Sequence, residues 1–205
     1  MRFLYSCFIA LLLLIPLYGM LALFVVLDSG FPIFYRQKRQ GQGVKSFFMI
    51  KFRTMRRDAE AVQKKLFHLN EANGPVFKIR DDPRYTRIGK VLAHSGLDEV
   101  PQLWNVLRGD MALIGPRPLP VVEAAKLKPW QHERNAGKPG IISPWIIEGY
   151  HSQSFDTWMK SDIAYLKRKS FLYDMQLAGK AIWLLCMLFV KECLHATHVG
   201  KHKAC

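Results

Sequence analysis

The stretch Leu97-Asp98-Glu99-Val100-Pro101-Gln102-Leu103-Trp104-Asn105-Val106-Leu107 decides how the chain is read. Val100, Leu103, Trp104 and Leu107 recur at i, i+3, i+4 and i+7, which predicts a helix over Asp98–Leu107. Pro101 fits the first turn, where its missing N–H costs nothing. Asp98 and Glu99 then stand at the helix N-terminus, where the backbone dipole favours anions. Adjacent helical side chains diverge by about 100°. The two carboxylates are therefore free to differ in role, one as nucleophile or metal ligand and one as acid/base or orienting group. The plainer reading is a dipole pair that only stabilises the helix end.

Downstream, Gly115-Pro116-Arg117-Pro118 cannot continue a helix and holds Arg117 in a stiff loop. Such an Arg suits an anion clamp, because a rigid backbone loses little entropy on binding phosphate; pairing with a surface carboxylate is the alternative. Upstream, Ile33–Tyr35 and Phe47–Phe52 read as short strands separated by Gly41-Gln42-Gly43. Lys51 and Arg53 alternate with apolar residues and so share one side of a strand, either a phosphate-binding wall or a solvated sheet face. Arg56–Leu69 has helical spacing, with Ala59, Val62, Leu66 and Leu69 on one face. Asn73-Gly74-Pro75 and Asp81-Asp82-Pro83 are turns. Val121–Lys128 reads as a short helix, Pro139–Pro144 as a loop and Phe155–Lys169 as an amphipathic helix. These elements make an α-rich α+β body.

Both ends are more apolar. Phe3 to Leu27 carries no charged side chain, and Arg2 is the one charge before it. A continuous helix there would reach roughly 35–40 Å, enough for a bilayer core of about 30 Å. A cleaved signal peptide lacks a clear small-residue cleavage site before Asp28. A straight membrane span is the default reading, since Pro is tolerated in membrane helices. Pro16, near the middle, instead allows a helix that enters, bends and leaves on the same side. Arg36, Lys38, Arg39, Lys45, Lys51, Arg53, Arg56 and Arg57 follow closely, and such a basic excess belongs on the cytoplasmic side. Ala181–Val190 is too short to span and is either a core helix or an interfacial one, with Trp183 and Phe189 in the headgroup layer.

The chain of 205 residues holds 30 Lys+Arg against 16 Asp+Glu, a formal net charge of +14, and half of its residues are hydrophobic. That balance excludes a disordered tail and points to polyanionic partners. A nucleic-acid-binding module would need a continuous basic stripe with stacking aromatics, whereas here the basic residues crowd beside a membrane segment. The four cysteines form no Cys-x-x-Cys pair, and the seven histidines form no metal motif. No Walker A loop, Gly-x-Gly-x-x-Gly or Gly-x-Ser-x-Gly occurs.

The order Phe34-Tyr35-Arg36-Gln37, Lys51-Phe52-Arg53-Thr54-Met55, Leu97 to Val106, Gly109-Asp110-Met111 and Gly115-Pro116-Arg117-Pro118 resembles the bacterial sugar transferase family, the monotopic polyprenyl-phosphate phosphoglycosyl transferases. The likeness runs from the first apolar segment through Asp162 and Tyr165 to Asp174. Gly74-Pro75-Val76-Phe77-Lys78 with Asp82-Pro83-Arg84 resembles the branch that initiates exopolysaccharide or capsule repeat units. The resemblance implies a re-entrant membrane helix over 1–30, broken at Pro16. A cytoplasmic phosphoglycosyl transferase domain would follow over 31–175, then an apolar interfacial helix and basic tail over 176–205. It implies a bacterial inner-membrane enzyme, facing the cytoplasm, that moves a sugar-1-phosphate from a UDP-sugar to undecaprenyl phosphate. By the same likeness Asp98 is the nucleophile, forming a phosphosugar-aspartyl intermediate, and Glu99 completes the dyad. Mg²⁺ is expected at Asp98, because a hard dication offsets the repulsion between phosphates and carboxylate. Lys51, Arg53, Arg84 and Arg117 are the expected phosphate or nucleotide contacts, Asp162 is a further active-site acid, and a homodimer is compatible with the family.

The sequence also departs from the family pattern. Ala93 and His94 stand where members commonly carry one or two Arg, so that either the rate falls or the phosphate contact passes to Arg84 or Arg87. Pro139-Gly140-Ile141-Ile142-Ser143-Pro144-Trp145-Ile146 replaces the usual Pro-Gly-x-Thr-Gly-x-Trp-Gln and leaves the sugar open. Arg2 and Tyr5 stand in for a Lys-Arg-x-x-Asp before the membrane helix. A catalytically impaired member acting as a membrane scaffold is the alternative within the family.

Overall fold

The computed structural model describes the backbone of residues 2–43, 45–147 and 154–201, and the side chains of 15–43, 45–147 and 154–187. Helix α1 (Arg2–Ser29) leads into the hairpin β1 (Phe34–Gln40) and β2 (Ser46–Phe52), then α2 (Ala59–Gln63) with a 3₁₀ turn over Lys64–Leu69. Next come α3 (Arg87–Ser95), a 3₁₀ turn at Leu97–Glu99, α4 (Gln102–Leu107), β3 (Ala112–Ile114), α5 (Val121–Ala124) and a 3₁₀ stretch at Pro129–Ala136. The chain continues through β4 (Gly140–Ile142), α6 (Pro144–Ile147), α7 (Phe155–Arg168) and α8 (Phe171–Lys201). The expected helix-rich mixture of helix and strand is what forms.

Strands β1 and β2 pair antiparallel, with Tyr35 opposite Lys51 and Arg36 opposite Ile50. Because side chains alternate along a strand, the hairpin has two different faces. Phe47 and Met49 pack against Met111 on one face. Phe52 packs on the other, with Leu21 and Val25 of α1 and Leu92 of α3. Phe34 stacks on Phe52 at 5.4 Å between ring centres, and Tyr18 approaches the same ring at 5.6 Å.

The predicted break at Pro16 does not interrupt α1, which stays helical from Arg2 to Ser29. A helical proline removes one N–H and crowds one carbonyl, while the i→i−4 bonds on either side carry the helix on. The C-terminus of α1 is tied to the body. Arg53 Nη2 donates to Ser29 O and Oγ, both at 2.8 Å, and to Gly30 O at 2.6 Å. Gly30, at φ 73°, turns the chain out of the helix, a conformation a side chain would strain. Ile88 N donates to Asp28 Oδ2 at 3.1 Å, and Tyr18 Oη donates to Val100 O at 2.9 Å. Among the described residues no helix is long and apolar enough to cross a membrane.

Three expectations need correction. The single helix over Asp98–Leu107 forms as two pieces, the 3₁₀ turn Leu97–Glu99 and the six-residue α4 that starts after Pro101. Its apolar stripe is not the buried face: Trp104 is 56% and Leu107 64% exposed, while Gln102 and Asn105 are buried. Asn105 earns its place by hydrogen bonds, since its amide accepts from Ile50 N at 3.1 Å and donates to Phe48 O at 2.8 Å. The loop expected at Pro139–Pro144 contains β4, parallel to β3 with Ala112 opposite Gly140 and Ile114 opposite Ile142. A side chain on Gly140 would strike the Ile114–Gly115 backbone, so only glycine permits this approach.

Helix α7 follows its predicted span closely. Ser154 caps it by accepting from Thr157 N, and Phe155, Met159, Asp162 and Tyr165 form its buried face. Helix α8 runs from Phe171 to Lys201, so the boundary expected at 175/176 falls inside it. Leu177 and Ala181 are buried, but Ile182, Trp183, Leu185 and Met187 are exposed. The described part of Ala181–Val190 is therefore no core helix; Phe189 lies outside the described side chains.

Arg53→Met keeps the side-chain volume but leaves the Ser29–Gly30 carbonyls without their donor. A loss of about 2–4 kcal/mol is expected from removing several charge-assisted bonds at a helix end, read as a lowered denaturation midpoint of the full chain in detergent. An unchanged midpoint would show that the α1 anchorage does not depend on this residue.

Candidate active site

Helix α3 ends at Gly96, whose φ of 74° reverses the chain into the 3₁₀ turn carrying Asp98 and Glu99. The turn is closed by Glu99 N to Gly96 O at 3.1 Å and Val100 N to Leu97 O at 3.3 Å. With three residues per turn, neighbouring side chains point about 120° apart. Each carboxylate therefore meets a cation from a different element. Lys51 Nζ of β2 lies 3.3 Å from Asp98 Oδ2. Arg117 Nη2, from the Pro-flanked loop, lies 2.7 Å from Glu99 Oε1. Asp98 is only 4% exposed, and among the described residues its other oxygen accepts no hydrogen bond.

This arrangement separates the two acids. Burial pushes the Asp98 carboxyl up to about 6, against the pull of Lys51 and with a further push from Glu99. Burial also raises Glu99, but the Arg117 charge and hydrogen bond outweigh it and hold Glu99 below its ordinary value. Glu99 in turn raises Arg117. One member of the dyad is fixed as an anion; the other titrates near neutrality.

Arg117 is positioned by its backbone. Gly115 N donates to Ile142 O and Gly140 N donates to Pro116 O, both at 3.0 Å, which anchors the loop to β4. Arg39 Nη1 donates to Pro118 O at 2.7 Å, and Arg134 Nη2 donates to Arg117 O. Arg134 is itself held by Asp162, through Nε at 2.9 Å and Nη2 at 2.6 Å. Both members of that pair are essentially inaccessible to solvent. Asp162 thus acts on the site through Arg134 rather than by facing the dyad. Burial pushes its carboxyl up to about 6 against the Arg134 charge.

The structure thus brings together Lys51, Asp98, Glu99 and Arg117 from the predicted set. Arg53 is spent on the end of α1. Arg84 forms a two-pronged pair with Asp82, at 2.9 and 2.6 Å, and donates to Ala59 O at 3.2 Å. Arg39 and Arg134 were not singled out by sequence. Arg39 offered a faint signal in its odd-numbered alternation with Tyr35 along β1; Arg134 offered none, because its partner is 28 residues away.

Among the described residues no three His, Cys, Asp or Glu side chains converge on one point. A Mg²⁺ ion is nonetheless compatible with the donor set, since it commonly takes one or two carboxylates and fills its remaining positions with water and substrate phosphates. Asp98, whose Oδ2 takes Lys51, would supply the hard oxygen.

The opposite face of the hairpin borders a groove of about 420 Å³, lined by Tyr18, Phe34, Arg36, Ile50, Trp104 and Leu107 among others. Among the described residues Arg36 is its one charged wall residue.

The family model described as bacterial sugar transferase matches residues 3–187. The chain is 40% identical over 163 residues to galactosyl transferase CpsE of Streptococcus agalactiae, covering 78% of this chain and 36% of that protein. It is 33% identical over 183 residues to the exopolysaccharide production protein ExoY of Sinorhizobium fredii, covering 87% of this chain and 81% of that one. It is 34% identical over 163 residues to the undecaprenyl-phosphate galactose phosphotransferase of Salmonella typhimurium, covering 76% and 33%. The chain thus spans about a third of the first and third of these relatives and about four-fifths of the second. A match over nearly the whole length, on a fold that gathers the Leu97–Val106 and Gly115–Pro118 motifs around one carboxylate pair, makes this chain a member of the bacterial sugar transferase family.

Proposed function

We propose that the protein transfers a sugar-1-phosphate from a UDP-sugar to undecaprenyl phosphate, the first membrane step in building an exopolysaccharide, capsule or O-antigen unit. The observation that carries this reading is the split carboxylate pair, with Asp98 on Lys51 and Glu99 on Arg117. An Asp98 oxygen attacks the sugar-bearing phosphorus, a P–O bond forms, and the pyrophosphate P–O bond breaks to release UMP. The lipid phosphate oxygen then attacks the same phosphorus, and the aspartyl P–O bond breaks to restore the carboxylate. Phosphoryl transfer depends mainly on positioning and charge neutralisation, which Lys51 and Arg117 provide from fixed supports. Glu99 stays ionised and keeps the Arg117 fork oriented. Mg²⁺, held at Asp98, would supply further neutralisation of phosphate charge.

The acceptor is a lipid, and the surface supports a membrane-facing reading. Leu23, Phe24 and Leu27 of α1, Trp104 and Leu107 of α4, and Ile182 and Trp183 of α8 are all exposed apolar side chains. Burying such groups in the headgroup layer stabilises an interfacial protein by about 25 cal/mol per Å². It also spares the enzyme from drawing a long prenyl chain into water. On this reading α1 anchors the body without crossing, with the catalytic domain on the cytoplasmic face of the bacterial inner membrane. The names of the relatives support galactose or a related sugar, and the Pro139–Ile146 segment is where the sugar would be selected.

Quenching the enzyme after exposure to a phosphorus-labelled UDP-sugar without acceptor should leave label on the peptide containing Asp98. Asp98→Asn should carry no label and release no UMP. Label on another side chain, or UMP release that survives the substitution, would overturn the nucleophile assignment.

Asp98 attacks as the carboxylate, so turnover should fall about tenfold per pH unit below about 6 and level off above it. The same raised value has a stability consequence. The folded state binds this proton more tightly than the unfolded chain does, so stability falls as pH rises from about 4 to about 6. Asp98→Asn should therefore be inactive yet more stable than the wild type above pH 6, by on the order of 2–3 kcal/mol, with the difference fading below pH 4. Denaturant midpoints across that range check the sign; a variant less stable at pH 8 refutes it.

A further inference from the structure

Of the two cations that serve the dyad, Lys51 is the harder one to keep in place. A lysine carries its charge on a flexible four-carbon stem and loses much rotamer freedom when one geometry is imposed on it. Arg117, its counterpart on Glu99, is planar and stands on a loop whose carbonyls are gripped from two sides. Among the described residues Lys51 makes one ion pair, with Asp98 Oδ2 at 3.3 Å. Glu99 also feels the Lys51 charge, but its Oε1 is taken by Arg117.

The support for Lys51 comes from across the hairpin. The β1–β2 ladder is two-stranded, and Tyr35 stands directly opposite Lys51. Directly opposed side chains leave on the same face, with Cβ atoms about 5 Å apart. The Lys51 ammonium lies over the Tyr35 ring, 6.0 Å from its centre, at the outer reach of cation–π attraction. The ring is itself tied down, since Tyr35 Oη donates to Glu60 Oε1 at 2.8 Å. Burial, then the Glu60 bond and charge, push the phenol up to about 12, so it remains a donor. Glu60 stands in α2, and α2 is fastened where Arg84 Nη1 donates to Ala59 O at 3.2 Å. Arg84 is held in turn by both oxygens of Asp82. A continuous line of contacts thus runs from Asp82 through Arg84, α2, Glu60 and Tyr35 to Lys51.

Resting on the function proposed above, we infer that Tyr35, tethered by Glu60, is a positioning residue that keeps Lys51 against Asp98 during phosphoryl transfer. It acts through Lys51 and not on the reacting atoms. A ring fixed on one side of the lysine stem removes rotamers that would carry Nζ away from the carboxylate, which lowers the entropy lost when the pair forms. Geometry of this kind matters to the rate, because a misplacement of about 1 Å costs up to a hundredfold. The competing role is a plain clip between α2 and the hairpin, which would support the fold and be indifferent to the residue at position 51. The two roles separate in a double-mutant cycle, since only a residue that works through Lys51 loses its effect when Lys51 is gone.

The cycle is run on UMP release by the full-length protein in lipid nanodiscs, with denaturation midpoints measured on the same samples. Tyr35→Leu should lower kcat about tenfold, and in a Lys51→Met background the same change should cost less than about twofold. Tyr35→Phe keeps the ring but loses the Glu60 bond, and should fall between Tyr35→Leu and the wild type. Glu60→Ala should match Tyr35→Phe, and Glu60→Gln, whose amide oxygen still accepts, should lose less. The midpoint shifts of Tyr35→Leu and Lys51→Met should likewise fall short of their sum in the double variant, a readout that needs no turnover. Rate losses that multiply in the double variant, or midpoint shifts that simply add, would overturn the inference and leave Tyr35 as a clip. The aspartyl mechanism fails differently. UMP release that survives Asp98→Asn, with the Tyr35–Lys51 coupling intact, would refute the nucleophile and leave Tyr35 as the support of Lys51.

Discussion

Two carboxylates on neighbouring residues, both shielded from solvent, set the terms for everything around them. Like charges on adjacent side chains repel, before desolvation is counted, and Glu99 pushes the Asp98 carboxyl up. The protein meets this with divergence and separate counter-ions. The 3₁₀ turn, enforced by Gly96 before it and Pro101 after it, sends Asp98 toward β2 and Glu99 toward the Arg117 loop. An α-helical turn would have left a smaller divergence, and one shared cation would have left both acids with similar proton affinities. Two unequal cations, a Lys at 3.3 Å and an Arg at 2.7 Å, leave one acid permanently charged and the other poised.

The Arg117 loop shows how much scaffold such a pairing needs. Its carbonyls are gripped by Arg134 and Arg39, and its glycine lies against Gly140 so closely that neither position tolerates a Cβ. The Arg134–Asp162 pair behind it is fully buried. Desolvating two such ions offsets much of their attraction, so the pair is weak evidence for stability. Its better-supported role is geometric: it fixes where a carbonyl, and therefore a guanidinium on the same residue, can sit. That explains why an acid in the middle of the buried face of α7, where an apolar side chain would pack more cheaply, influences a site it does not face.

What could be read in the sequence divides along a physical line. Strand β2, α7 and the Asp98–Glu99 pair were legible because their signals are local (alternation, capping, adjacency), whereas β1 was read only as far as Tyr35 and runs on to Gln40. Strand β4 was not legible, because a parallel pairing between residues such as Ala112 and Gly140 leaves no periodic trace in three residues. Arg53 was read as a phosphate contact from its alternation with apolar residues and Arg84 from the family resemblance, and the structure ties both to the scaffold. Arg84 could have been paired with Asp82 from their i, i+2 spacing; the reach of Arg53 to Ser29 crosses 24 residues. The stripe on α4 fails differently. Periodicity finds an apolar face correctly but assumes that such a face points inward, and Trp104 and Leu107 point out.

That outward face and the carboxylate site meet at one piece of backbone. In β2, Ile50 lines the apolar groove while Lys51, the next residue, faces Asp98; across the ladder, Arg36 and Tyr35 divide the same way. The pleat alone accomplishes this division, since consecutive side chains must leave on opposite faces. A slip of one residue in the β1–β2 register would turn Lys51 toward the groove and Ile50 toward the carboxylates. Phe52, fully buried against α1 and Leu92, forbids that slip, because the slip would expose it and bury a charge in its place. The register of a seven-residue hairpin is therefore what allows a water-seeking phosphate chemistry and an apolar surface to share one wall without either entering the other's solvent.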